Sequence, residues 1–336
     1  MSYRMKAADV LKILTQQTKK QRITILDLPD DLKEKIVMIY KYLHKYKLRD
    51  WVPLQLIRWE FLSENPNAID FLSLPKNRVH INWEFLSENP EAVDFLSLSM
   101  NRGRINWELL SENPEAVDFI SLPENKKHID YRNLSGNPNP KAIELLKERL
   151  KVNPRIVDWK TLSKNPYAIE LLTLPENNEK IDWSSLSGNI EAIDILKEEY
   201  KKENNRIDWK ALSGNPNAID ILKEEYKKKK NKINWKALSG NPNAIDIINE
   251  EYRRDKKNKI NWKALSGNPN AIKLLVANVD KIDWSALSYN PNAIDLLKCK
   301  IKYQMNLQTN EIKNLQIKER INWMGISSNP SIFIAI

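Results

Sequence analysis

A single cysteine, Cys299, occurs in the 336 residues, so neither an intrachain disulfide framework nor a cysteine-based zinc cluster can form. Three histidines, His44, His80 and His128, leave little for metal or acid–base chemistry. The 7 glycines are too few for glycine-rich phosphate loops, and no GxGxxG or GxxxxGK[ST] string is present. No apolar run approaches the roughly 18 residues of a membrane span. The opening MSYRMKAADVLKILTQQ lacks the apolar stretch of a signal peptide. These shortages point to a reducing, intracellular protein without cofactor or small-molecule substrate. What remains, 41% hydrophobic and 29% charged residues, fits a folded chain and argues against wholesale disorder.

The chain repeats itself. The string [DN]W..LS.NP.A[IV]..[LI] recurs with its aromatic at Trp59, Trp83, Trp107, Tyr131, Trp159, Trp183, Trp209, Trp235, Trp262, Trp284 and Trp323, which makes eleven copies. The unit is about 24 residues with a variable tail. Ser (Ser63 to Ser327) and Asn (Asn65 to Asn329) occur in all eleven copies, and Pro follows the Asn in every copy except the sixth, which has Ile190.

Each repeated residue has a local task. In copy 7, Asp208 is placed to cap a short helix that opens at Trp209. Gly214 suits a left-handed residue ending that helix. Asn215 is the next cap, and Pro216 fits the first helical position, where no amide donor is needed. Ala218, Ile219, Leu222 and Tyr226 follow at helical spacing. Trp209, Leu212, Ala218, Ile219 and Leu222 are expected in the core. In copy 4, either Asn137 or Asn139 can cap. A leucine-rich ladder of similar period requires an LxxLxLxxN string, which is absent. The expected fold is all-α: a right-handed α-solenoid of eleven helix-turn-helix repeats, since neither helix can bury its apolar stripe alone. Residues 1–56 form an N-terminal helical cap, with helices near residues 6–19, from Pro29 to about Tyr46, and around Trp51 to Leu56. Residues 57–298 carry copies 1–10. Residues 299–336 hold a long insertion and a truncated copy 11, whose NPSIFIAI is read as a shortened long helix.

The LSxNPxAIxLL string resembles the short helical repeats of proteins from giant DNA viruses, over residues 57–336. The resemblance implies viral origin, with action in the host cytoplasm or the virion, and carries no defined activity. Leu28, Pro29, Leu32 and Ile36, in ILDLPDDLKEKI, resemble the opening of an F-box, which would imply docking to a host ubiquitin ligase.

Charge is uneven along a chain of net charge +10. Residues 1–56 carry 12 basic and 6 acidic groups, and residues 57–128 carry 7 and 12. Two positions flanking the short helix are acidic in copies 1–3 (Glu60, Glu84, Glu108; Glu64, Glu88, Glu112), and the first becomes Lys160, Lys210, Lys236 and Lys263 later. One surface should therefore change sign along the array. The tails of copies 6–8 extend the long helix by about two turns and form a basic ridge: Lys201, Lys202, Arg206, Lys227, Lys228, Lys229, Lys230, Lys232, Arg253, Arg254, Lys256, Lys257 and Lys259. Read as a solvated helix end, the ridge is helped by pairs such as Glu224 with Lys228 and Glu250 with Arg254. Read as a patch, it would take an acidic partner such as nucleic acid. The acidic column Asp70, Asp94, Asp118, Glu144, Glu170, Asp194, Asp220, Asp246 and Asp295 suits helix N-termini and faces neighbouring lysines. His80 and His128 read as surface residues, the aromatic column as core rather than base-stacking platform. No residue cluster breaks the repeat to make one catalytic pocket. The expected function is a non-enzymatic protein–protein interaction scaffold. An F-box adaptor and a weak nucleic-acid binder are the alternatives.

Overall fold

A computed structural model describes residues 46–153, 155–254 and 259–335. They are mostly helical, in repeated units. Copy 1 shows the plan: a short helix, Trp59–Glu64; a 3-10 turn, Pro66–Ala68; a second helix, Ile69–Ser73; and a 3-10 linker, Arg78–His80. In copies 2–11 the Asp or Asn before the aromatic caps the short helix, as where Asp208 Oδ1 accepts from Ala211 N at 2.8 Å, whereas Arg58 of copy 1 makes no side-chain cap. The repeated Asn ends the short helix by turning extended (Asn215, φ −75°, ψ 115°), and its Oδ1 accepts from the amide two residues on. Gly214 is thus an ordinary right-handed helical residue, not the left-handed stop expected of it. Its added Cβ would lie 3.9 Å from Ala237 Cβ, ordinary van der Waals contact.

The second helix is four or five residues long in copies 1, 2, 3 and 5, where Pro or Ser follows. It runs Ile193–Tyr200, Ile219–Tyr226 and Ile245–Arg254 in copies 6–8. In copies 6 and 7 the extension is about one turn rather than two, and the basic runs begin where the helix stops. In copy 4, Asn139 Oδ1 caps Lys141 N, which settles the alternative left open by the sequence.

Burial separates the columns. The residue three after the aromatic (Leu62 through Leu287, then Ile326), the repeated Ser and Asn, and the repeated Ala, replaced by Ile332 in copy 11, are buried in every copy. In copy 7, Leu212, Ala218 and Leu222 are core as expected, but Ile221 is buried where Ile219 is only half-buried. The aromatics are half-buried too, so the expected Trp209 core position is a correction.

Ser and Asn are invariant because they join the copies. Ser Oγ donates to its own aromatic residue's carbonyl at 2.6–2.9 Å. It then accepts, at 2.9–3.2 Å, the amide that opens the next copy's short helix. The next copy's Asn Nδ2 donates to two carbonyls, those of the preceding Ser and Asn, at 2.8–3.2 Å.

The same joint links the last copy to the first. Arg58 N donates to Ser327 Oγ at 2.9 Å, and Asn65 Nδ2 donates to Ser327 O and Asn329 O at 2.9 and 3.0 Å. The short helices Trp323–Ser328 and Trp59–Glu64 pack side by side like any consecutive pair. The array is therefore a closed ring of eleven copies, and the two end faces that a cap would cover cover each other. The cap helices expected before residue 46 lie outside the described residues. From Tyr46 on, the cap is a strand and a single 3-10 turn, Leu54–Leu56, in place of the helix expected around Trp51. NPSIFIAI is not a truncated helix either. After the turn Pro330–Ile332 it becomes a strand, β2 (Phe333–Ala335), antiparallel to β1 (Tyr46–Leu48), with Lys47 opposite Ile334. β-branched and aromatic residues favour that conformation. The ribbon is the exception to an otherwise helical fold, and it clasps the seam.

Substituting Asn241 with Ala strands the Ser213 carbonyl inside the protein, leaves Asn215 O with the Ala218 amide alone, and removes the cap on Asn243 N. At about 1–3 kcal/mol for a buried acceptor left unpaired and about 0.5–2 kcal/mol for a lost cap, urea unfolding should show a loss of roughly 2–5 kcal/mol. Gly240→Ala should be neutral or stabilising, because its Cβ meets Ala264 at an ordinary 3.9 Å. Gly325→Ala should destabilise, because its Cβ would fall 2.7 Å from the Tyr289 ring.

Candidate interaction surfaces

The ring presents two charged surfaces, and the short helices make the inner one. Neighbouring short helices lie in close contact: Phe61 stacks on Phe85 at 5.6 Å, and Ala replaces these rings where Gly188, Gly214 and Gly240 lie opposite. The bodies of the second helices stand further apart. In a closed ring the closer layer has the smaller circumference, so the short helices line the opening. Eleven helices spaced by about 8–10 Å close a circle roughly 30 Å across between axes. A helix radius of about 5–6 Å on each side then leaves an opening roughly 20 Å wide.

Two positions of each short helix, one and five residues after the aromatic, point away from the core into this opening. Copies 1–3 place Glu60, Glu64, Glu84, Glu88, Glu108 and Glu112 there, all exposed. Copies 4, 5, 7, 8 and 9 place Arg132, Lys160, Lys164, Lys210, Lys236 and Lys263 there, also exposed. Copies 6, 10 and 11 contribute no charge at these positions. Closure converts the sign change expected along the array into two opposed arcs. Half of eleven steps from copy 2 falls between copies 7 and 8, so Glu84 and Glu88 face Lys210 and Lys236 across the opening. Partial burial, with Glu64, Glu112 and Glu84 as neighbours, holds the Glu88 carboxyl above its ordinary value.

The aromatics lie on the rim where the short helices begin, and basic side chains cover them. The residue three before the next copy's aromatic lies over the ring: Arg206 Cζ is 3.8 Å from the centre of Trp183, and Lys180 Nζ is 4.6 Å from that of Trp159. Arg104, Lys232, Lys259 and Lys281 repeat this on Trp83, Trp209, Trp235 and Trp262. His80 and His128 are members of the same column, stacked on Trp59 and Trp107 at 4.4 and 4.6 Å. They are exposed, as expected, but engaged. Such cation–aromatic contacts contribute about 0.5–2 kcal/mol each. The faces of these rings are therefore neither core nor free for bases. The sequence carries the signal: Lys, Arg or His stands three residues before the aromatic in nine copies, with Leu56 and Ile156 as the exceptions.

Much of the basic ridge is likewise spent internally. Glu199, Glu225 and Glu251 are buried at 2%, 1% and 5% exposure. Arg206 and Lys202 close on Glu199 at 3.0 and 2.7 Å. The Arg206 hydrogen bonds, ahead of burial and helped by Lys202, bring the Glu199 carboxyl from 4.5 to about 2. Burial pulls Glu225 upward, but hydrogen bonds from Lys228, the Lys232 amide and Tyr200 outweigh it and hold the carboxyl low. Lys228 pairs with Glu225 at 2.7 Å, three residues apart, and not with Glu224 as the sequence suggested. Arg254 bonds the Tyr226 hydroxyl, which also donates to Glu251 at 3.0 Å. Lys201 pairs with Glu198. Lys227, Lys229, Lys230 and Arg253 are exposed, and Lys256 and Lys257 lie outside the described residues.

The acidic column on the second helices pairs with neighbouring lysines, as expected: Lys141 with Asp118 at 2.6 Å, Lys147 with Glu170 at 3.2 Å, Lys197 with Asp220 at 3.7 Å. A shallow cleft of about 420 Å³ near the seam is lined by Ile57, Arg58, Trp59, Glu60, His80, Ile81 and Asn82. Its Asn82 is occupied as a helix cap and its His80 as a stacking partner. Among the described residues, no group of three or more His, Cys, Asp or Glu is placed to hold a metal ion, and no helix is long and apolar enough to cross a membrane. Leu28, Pro29, Leu32 and Ile36 lie outside the described residues. No family model, curated protein or solved structure matches the chain.

Two measurements check this electrostatic assignment. A carboxyl held at about 2 stabilises the fold fully above pH 4.5, and that stability is lost as pH falls towards 2. Glu199→Gln should flatten this acid-side slope and lower stability at neutral pH. Lys228→Gln should lower the melting temperature, whereas Lys227, Lys229 and Lys230 changed together to Gln should leave it within about 1–2 °C.

Proposed function

We propose that the protein is a non-enzymatic scaffold that holds a protein partner in the opening of its ring. One observation carries this reading. The buried Leu, Ser, Asn and Ala columns are used alike around the ring, while the two inward positions vary and sort by charge into opposed arcs. Repeat folds build binding surfaces this way, with a fixed core and a variable face. The chemistry-bearing columns are repeated structural positions rather than one distinctive constellation, which favours binding over catalysis. The resemblance to viral repeats extends the proposal to an infected host cell or a virion as the setting; a right-handed winding of the copies is part of the same proposal.

Affinity purification tests the reading with three proteins: the native ring, a ring with Glu60, Glu84, Glu108, Lys210, Lys236 and Lys263 changed to Gln, and a ridge variant with Lys227, Lys229 and Lys230 changed to Gln. A defined set of proteins should be recovered with the native ring and the ridge variant and lost from the inward variant. Recovery that ignores the inward charges, or follows the ridge instead, would overturn it. Nuclease-sensitive recovery of DNA or RNA through the ridge would establish the nucleic-acid alternative.

A further inference from the structure

We infer that the opening seats one polypeptide helix whose charges are segregated, a basic side against copies 1–3 and an acidic side against copies 4–9. This rests on the scaffold reading above and names the chemistry of the partner.

The first observation is that the inward charges form no ion pairs with one another, Lys160 alone acting on a neighbouring capping carboxylate, Asp182. None of the six glutamates or six basic residues on the inward positions takes part in an ion pair among the described residues, whereas charges on the second helices and tails do. The ring leaves like charges crowded together instead: partial burial first, and then Glu64, Glu112 and Glu84, oppose the ionisation of Glu88. An opposite charge entering the opening relieves that repulsion. The arcs adjoin only where copy 3 meets copy 4, at Glu112 and Arg132, and their centres cannot relieve each other. They stand roughly 20 Å apart, more than twice the Debye length of about 8 Å at physiological salt.

The second observation is size. A helix with its side chains is about 10–12 Å in diameter. Centred in an opening of roughly 20 Å, it leaves about 5 Å on each side, inside one Debye length and within reach of Glu and Lys side chains. Each arc then acts on the face next to it and little on the far one. A uniformly acidic or basic segment satisfies one arc only. A nucleic-acid duplex filling the opening would press phosphates against Glu60, Glu84 and Glu108 as well as against the lysines. The neutral copies add apolar contact between the arcs, since Tyr289 and Met324 are 48% and 44% exposed there.

Fluorescence anisotropy at physiological salt supplies the test, using the full chain and three labelled probes. One is a synthetic helical peptide with glutamates along one face and lysines along the opposite face. The second has the same composition with the charges interleaved. The third is a short DNA duplex. The striped peptide should bind at least about tenfold more tightly than the interleaved one, a difference set by charge placement alone. Changing Glu60, Glu84 and Glu108 to Lys makes the opening basic throughout. The striped peptide should then lose its advantage, and a polyglutamate peptide should gain affinity. Circular dichroism should show the variant folded, since these side chains are exposed and unpaired. Equal binding of the two peptides, or binding indifferent to the reversal, would sink the inference, as would tighter binding of the duplex. If partner recovery still depends on the inward charges while the peptides are not distinguished, the scaffold reading stands and this one falls. If neither depends on them, both fall.

Discussion

The structure hangs on one buried amide per copy. Each Asn side chain leaves water completely and spends both Nδ2 hydrogens on carbonyls of the preceding copy, while its oxygen caps the turn that follows. A buried amide without partners is costly. The arrangement is therefore all-or-none at each joint, which makes it specific as well as stabilising. Copy 4 shows which duty comes first. Its insertion separates the two roles: Asn137 keeps the joint, Asn139 takes over the cap, and Asn137 Oδ1 is left buried without a partner. Copy 6 shows that proline is secondary. With Ile190 in its place, the carbonyl still accepts from Asn217 Nδ2 as prolines do elsewhere.

Because every joint is the same, a small turn between copies is repeated, and eleven turns bring the ends together. Closure removes the exposed end faces from which an open array must be protected. It also divides the surface into an inside and an outside of different character. Small side chains let the inner helices approach, as Ala237 does Gly214. The longer helices and tails lie where the circumference is greater. The ring tolerates inserts at several copies, such as the helix Thr309–Asn314, because an insert between second helix and linker leaves the Ser–Asn joint untouched.

The repeat, the helix pair and the core Leu and Ala columns were legible in the sequence, because periodicity and helix-capping chemistry are local. The Ser was visible as an invariant but without a role, since its partners lie in the neighbouring copy. Closure was not legible: it depends on the angle between copies, which no single unit encodes, and on the pairing of Tyr46–Leu48 with a segment almost 290 residues away. The internal pairing of the basic ridge was legible only in part, for a related reason. Helical spacing offers Glu224 and Glu250 as partners, but the second Glu of each Glu-Glu pair is the buried one, and a buried carboxylate needs cations. Arg206, Lys202 and Lys228 supply them. The aromatic column misled in the opposite sense. Trp beside Leu looks like core, yet its outer face is left to a cation from the next copy.

These uses of charge separate structure from function more sharply than composition does. On the rim, Arg206 is held both by the Trp183 ring and by the buried Glu199, so removing it disturbs the fold. On the second helices, oppositely charged residues of successive copies neutralise one another, and such exposed pairs contribute little beyond solubility. In the opening, six carboxylates and six basic groups have been sorted to opposite sides. Alternating them copy by copy would have let neighbours pair at no geometric cost. The sorting leaves repulsion within the acidic arc, a small but continuous expense that the folded ring alone gains nothing from. Only something placed between the arcs, within reach of both, turns that expense into attraction.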